Sequence, residues 1–104
     1  MNYNEFCDFF SKNIELNNIV IDFNNEELNE LYIYMRELLK WNNMINVTSI
    51  SNEKEFIIKH YIDSLLINKY LIDSNKIIDI GTGGGFPGIP LKIINKEKKF
   101  TLID

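Results

Sequence analysis

One cysteine, Cys7, and one histidine, His60, are all that this chain offers toward soft metal ligation or covalent cross-linking. An internal disulfide and a structural zinc site both need partners the sequence does not have, and metal catalysis lacks its usual ligands. No stretch approaches the roughly 18 consecutive apolar residues of a membrane span, and Met1-Asn2-Tyr3-Asn4-Glu5 lacks the basic start of a secretory signal. A cytoplasmic location away from membranes is therefore expected. What is present is an ordinary globular composition: 104 residues, 45% hydrophobic, 25% charged and 12% aromatic, which suits one small domain and rules out disorder or collagen-like order.

The net charge of −4 is unevenly divided. Up to Asn75 there are six Lys or Arg against twelve Asp or Glu, and from Lys76 onward five against three. An acidic amino-terminal part argues against that segment wrapping a phosphate backbone unaided, because each neutralised phosphate needs a cation.

Tyr3, Phe6, Cys7, Phe10 and Ile14 fall at the spacing that gathers residues on one face of a helix. Asn24-Asn25-Glu26-Glu27 has the form of an N-cap with a glutamate three places on, and predicts a second helix. Its stripe is Leu28, Leu31, Tyr32, Met35, Leu38 and Leu39, with a break expected at Asn42-Asn43 and Thr48-Ser49. A third helix is predicted from the cap-like Asn52-Glu53-Lys54-Glu55, with Ile58, Tyr61, Ile62, Leu65 and Leu66 on its apolar side, fraying near Tyr70.

At Asp73-Ser74-Asn75 the pattern changes to a short β-branched run, Lys76-Ile77-Ile78-Asp79-Ile80, followed by glycines. Ile77, Ile78 and Ile80 suit a strand covered on both faces. Leu91, Ile93 and Ile94 continue as a helix, and Phe100-Thr101-Leu102-Ile103-Asp104 reads as a second strand, completing a βαβ unit. The expected organisation is a helical region over 1–75 and the start of an α/β fold over 76–104. A parallel sheet of two strands exposes unpaired groups on both edges, so more strands are expected, the chain being the amino-terminal part of a longer protein, with self-association possible through those edges.

The informative segment is Asp79-Ile80-Gly81-Thr82-Gly83-Gly84-Gly85-Phe86-Pro87-Gly88-Ile89-Pro90. Glycines at alternate positions after a strand let the backbone turn sharply and lie close to a ligand. Pro87 and Pro90 suit the opening turn of the next helix, whose positive end would face that ligand. Gly83 to Gly88 also satisfies the dinucleotide pattern G-x-G-x-x-G, though out of frame. Asp79 discriminates, since a carboxylate there would repel a pyrophosphate but suits the ammonium and sulfonium of S-adenosylmethionine. Asp104, about 20 residues past the glycines, can accept hydrogen bonds from ribose hydroxyls and fits either cofactor.

These residues resemble class I S-adenosylmethionine-dependent methyltransferases, whose first motif is acid-x-G-x-G-x-G. Gly85-Phe86-Pro87-Gly88-Ile89-Pro90, with Lys59-His60-Tyr61-Ile62-Asp63-Ser64-Leu65 and Trp41-Asn42 before Asn46-Val47-Thr48, narrows the resemblance to the RsmG family, also called glucose-inhibited division protein B. The resemblance implies a Rossmann-like fold preceded by helices and methylation of guanine N7 in 16S ribosomal RNA, with the RNA or the small ribosomal subunit as partner. It implies that Gly81, Gly83 and Phe86 line the methionine side of the donor, that Asp104 meets the ribose and that Asp79 orients the loop. The expected donor-binding set is Asp79, Gly81, Thr82, Gly83, Gly85, Phe86 and Asp104, with His60 and Asp63 as candidates for substrate contact and no catalytic residue assigned. Two positions depart from the family's habit: Lys59 stands where arginine is usual, and Gly84 where alanine, serine or proline is common. Guanine N7 carries no proton, so the implied chemistry needs alignment more than acid or base help.

Other constellations are set aside. His60, Asp63 and Ser64 invite a hydrolase triad, but a mid-helix serine tends to bond the carbonyl four residues back. The Asn46-Val47-Thr48 glycosylation pattern would go unmodified in the cytoplasm. Trp41 and Phe6, Phe9 and Phe10 read as packing. A nucleotide-binding oxidoreductase fragment of NAD type and a non-catalytic helical interaction module remain as alternatives. The 104 residues alone are expected to lack methyltransferase activity.

Overall fold

Asn2 starts the first helix: its side chain accepts the Glu5 amide at 2.8 Å while the Glu5 carboxylate accepts the Asn2 amide at 2.8 Å, a reciprocal cap. The computed structural model describes residues 1–45 and 52–104. The expected break at Thr48-Ser49 and the segment Asn46-Val47-Thr48 lie outside them. Helix α1 (Tyr3–Leu16) buries Phe6, Phe10 and Ile14 as its spacing requires. Helix α2 (Asn25–Ile45) opens on the predicted cap, with Asn24 and Glu27 exchanging hydrogen bonds of 2.8 and 2.9 Å. It runs through Asn42-Asn43 instead of breaking there. Asparagine costs a helix only a fraction of a kcal/mol, about 0.7 at most, too little to stop one already packed along its length.

Helix α3 joins an α-helical turn (Glu53–Phe56), a π-helical stretch (Ile57–Ile62) and a final α-helical turn (Asp63–Leu65), followed by a 3-10 turn (Asn68–Tyr70). Asn52 caps it by accepting the Glu55 amide at 2.8 Å, as predicted. The π stretch changes which residues face inward. Ile57 is buried with Tyr61, Ile62 and Leu65, whereas Ile58 and Leu66, expected on the apolar side, are exposed. The wider i→i+5 turn shifts the face that ordinary helical spacing assigns.

Strand β1 (Lys76–Ile80), helix α4 (Gly88–Ile94) and strand β2 (Lys99–Ile103) form the βαβ unit, with β1 and β2 parallel and Asp79 opposite Leu102. The fold is thus α/β: helices and a small two-stranded parallel sheet. The buried Lys98 ammonium donates to the carbonyls of Ser74 and Ile72 at 2.6 and 3.2 Å, fixing the approach to β2 against the turn before β1. The expectation of a strand covered on both faces is corrected: Ile78 is 63% and Ile80 80% exposed, while Ile77 and Asp79 alternate inward. No described residue covers the outer face.

One apolar cluster holds the helices together, centred on Phe6 and Phe10 of α1, Leu31 and Met35 of α2, and Phe56 and Tyr61 of α3. Tyr61 meets Phe56 edge to face at 5.1 Å, and its hydroxyl donates to the Leu31 carbonyl. Ile93 of α4 belongs to the same cluster, and Phe86 and Ile89 pack against it. Trp41, expected as packing, is half exposed at 52%. It lies near the end of α2.

Candidate functional site

The loop after β1 is built around one carboxylate. Asp79, at the fourth position of the strand, is 9% exposed, and its Oδ2 accepts the Thr82 hydroxyl at 2.7 Å and the Gly88 amide at 2.9 Å. The acid therefore spans the glycine segment, tying its first turn to the first residue of α4. The Gly88 amide, at the positive end of α4, is thus taken up by Asp79.

Backbone bonds complete the loop. The amides of Gly81 and Thr82 both donate to the Ile103 carbonyl, at 2.6 and 3.2 Å, so the loop leaves the sheet against the end of β2. The Thr82 carbonyl then accepts from Gly85 and Phe86 at 2.9 and 3.0 Å. Asp104 is exposed one residue past the Ile80–Ile103 pair, next to where the loop begins. Asp79, Gly81, Thr82 and Asp104 thus meet at the carboxyl end of the sheet.

The loop glycines fall into two groups. Gly81 and Gly83, at φ +74° and +55°, are exposed, and a Cβ at either would meet nothing within 4 Å. That is a backbone a ligand can approach. Gly85 is buried at φ +99°, and a Cβ there would lie 2.6 Å from both Ile89 Cγ1 and the Tyr34 hydroxyl. Its lack of a side chain serves contact with the protein. At Gly84 a Cβ would meet Phe86 and Leu38 at 3.3 and 3.4 Å, tight but open to small adjustment.

Phe86 turns toward the helices. The His60 ring stacks on it at 4.1 Å and 7°, and Phe56 and Tyr34 meet it edge-on at 5.5 and 6.0 Å. His60 thus joins α3 to the loop by ring stacking. Burial lowers the pKa of His60 below its usual 6.5, partly opposed by Asp63. Beside the stack, a groove of about 280 Å³ is lined by Lys59, His60, Asp63, Ser64, Ile67, Phe86 and Pro87. The Ser64 hydroxyl donates to the His60 carbonyl at 2.6 Å, the bond expected of a helical serine and not of a nucleophile. Lys59 pairs with Glu55 at 3.8 Å on the open surface, an interaction of little energetic weight. A larger hollow of about 440 Å³ lies around 17–21 and 65–72, and no candidate site residue lines it.

Tyr34 is the site residue that sequence reasoning missed. Its hydroxyl donates to the Gly84 carbonyl. The stripe read along α2 passes beside it, yet Tyr34 lies three residues after Leu31 and four before Leu38, a spacing that could have marked it.

A family model described as rRNA small subunit methyltransferase G matches residues 27–104, three quarters of the chain and all of the loop. The chain belongs to this family. Relatives carrying the name Ribosomal RNA small subunit methyltransferase G agree. That of Clostridium novyi (strain NT) is 46% identical over 95 residues, covering 88% of this chain and 39% of the relative. That of Clostridium kluyveri is 44% identical over 106 residues, covering 100% and 43%. That of Fusobacterium nucleatum is 43% identical over 98 residues, covering 93% and 41%. The chain spans about two fifths of the length of these curated relatives. Among the described residues no helix is long and apolar enough to cross a membrane, and no group of three or more His, Cys, Asp or Glu could hold a metal ion.

Proposed function

We propose that this chain carries the donor side of an S-adenosylmethionine-dependent methyltransferase acting on guanine N7 of 16S ribosomal RNA. The observation that supports it is the glycine loop at the end of β1, with its open backbone at Gly81 and Gly83, lying inside the residues that match the family. On this reading 76–104 begins a Rossmann-like donor-binding fold and 1–75 is the helical region in front of it. The relatives are longer than this chain, and the reaction is proposed for the whole protein.

The residues fit such a donor. Gly81 and Gly83 leave room against the main chain, Thr82 and Asp79 hold the turn, Gly85 and Phe86 seat it on the helices, and Asp104 can accept hydrogen bonds from ribose hydroxyls. S-adenosylmethionine, when bound, supplies an activated methyl carbon. No proton has to leave N7, so the work of the protein is alignment and exclusion of water. His60 and Asp63, which line the groove beside Phe86, are proposed to meet the RNA, with Lys59 adding positive charge at its rim. The partner is 16S ribosomal RNA or the small ribosomal subunit, in the cytoplasm.

Calorimetric titration with S-adenosylhomocysteine and, separately, NAD tests the donor reading. Selective binding of the homocysteine compound is expected, and selective binding of NAD would overturn it. For the substrate, deletion of the parent gene should abolish N7 methylation of 16S ribosomal RNA, and unchanged methylation would sink that part.

A further inference from the structure

The loop has a free half and a held half. Gly81 and Gly83 are exposed and touch nothing a Cβ would reach, whereas the next three residues are each engaged by the helices. The Gly84 carbonyl accepts a hydrogen bond from Tyr34, Gly85 is pressed between Tyr34 and Ile89, and Phe86 is stacked on His60. Tyr34 takes part in all three, since its ring also meets Phe86 at 6.0 Å.

We infer that Tyr34 is a positioning residue for the donor loop: from α2, fifty residues earlier in the chain, its hydroxyl fixes the Gly84 carbonyl and so sets the backbone path of Gly81–Gly83 without touching the donor. Burial raises the phenol above its usual 10, so the hydroxyl remains a donor throughout the physiological range. The Gly85 and Phe86 amides both bond the Thr82 carbonyl, so displacing 84–86 moves Thr82, which Asp79 shares with the open half of the loop. The helical region is thereby part of the donor site. The inference rests on the proposed function only for the identity of the ligand.

The test compares Tyr34→Phe with Tyr32→Phe. Each removes one hydroxyl from the same helix while keeping the ring, and Tyr32 donates to the Met1 carbonyl at 2.9 Å, away from the loop. Amide hydrogen exchange and S-adenosylhomocysteine affinity are read for both. In Tyr34→Phe, exchange at Gly85 and Phe86 should quicken roughly tenfold with α1 amides unchanged, and affinity should fall roughly tenfold. In Tyr32→Phe, which also removes the acceptor of Arg36 at 3.0 Å, any change should lie near α1, and neither exchange at Gly85 and Phe86 nor affinity should move. Loop exchange that is unchanged in Tyr34→Phe, or that rises equally in α1, overturns the inference. If Tyr34→Phe alone loosens the loop but the unaltered chain binds no homocysteine compound, the positioning of the loop stands and the same titration of the full-length protein decides the donor reading.

Discussion

A Cβ at Gly85 would need the space of Ile89 and the Tyr34 hydroxyl, and the backbone there is already left-handed. Gly85→Ala should therefore cost about 2–4 kcal/mol in urea unfolding, combining backbone strain with overpacking. Gly81→Ala meets open space, so its cost is the left-handed backbone alone, about 1–2 kcal/mol. On the proposed donor reading its larger effect should be on affinity for S-adenosylhomocysteine, because the added methyl stands on the open side of the loop. His60 gives a pH dependence of definite sign. Its folded pKa is lowered, so the unfolded chain binds more protons once pH falls through about 6.5, and stability declines on acidification until the folded group also protonates. His60→Phe keeps a flat ring on Phe86 and removes that contribution. Melting temperatures between pH 7.5 and 5.5, on the order of the range histidine spans, should fall less steeply for this variant.

Helix α1 was legible from its stripe alone and α2 from a cap and a stripe that agree, since side chains carry both signals; the Asn2 cap of α1 was not read. Asn52→Ala should cost about 1 kcal/mol, measured by thermal unfolding, since it removes the acceptor at the start of α3. Ser64→Ala should cost no more than about 1 kcal/mol and leave donor affinity intact, as its hydroxyl only bonds the His60 carbonyl. The inward face of α3 was legible at Tyr61, Ile62 and Leu65 but not at Ile58 and Leu66. A π stretch is decided by how the whole helix docks, so exchanging Ile58 for Ile57 in the core left no mark in local spacing. The glycine loop was legible as a tight turn after a strand, but its division was not: Gly85 looks like Gly81 until α2 is laid against it. Tyr34 escaped for the same reason, its partner lying fifty residues away.

Across the described residues, α4 packs on the Asp79 side of the sheet, and Ile78, Ile80 and Ile103 are exposed on the other, beside Lys76, Lys99 and Thr101. A strand run read as covered on both faces was therefore half right, because such a run states what a strand can tolerate and not which layers are present. An exposed flat face with free edges is a self-association hazard. Sedimentation should find the chain associating as concentration rises, and Ile80→Lys, on that face, should shift it toward monomer without lowering the melting temperature. The seat of the glycine loop also ties the order of folding together. Tyr34 and Gly84 lie fifty residues apart and Ile93, beyond the loop, completes the helical cluster, so the loop takes its held shape only as the helices and the strand dock, in one cooperative event.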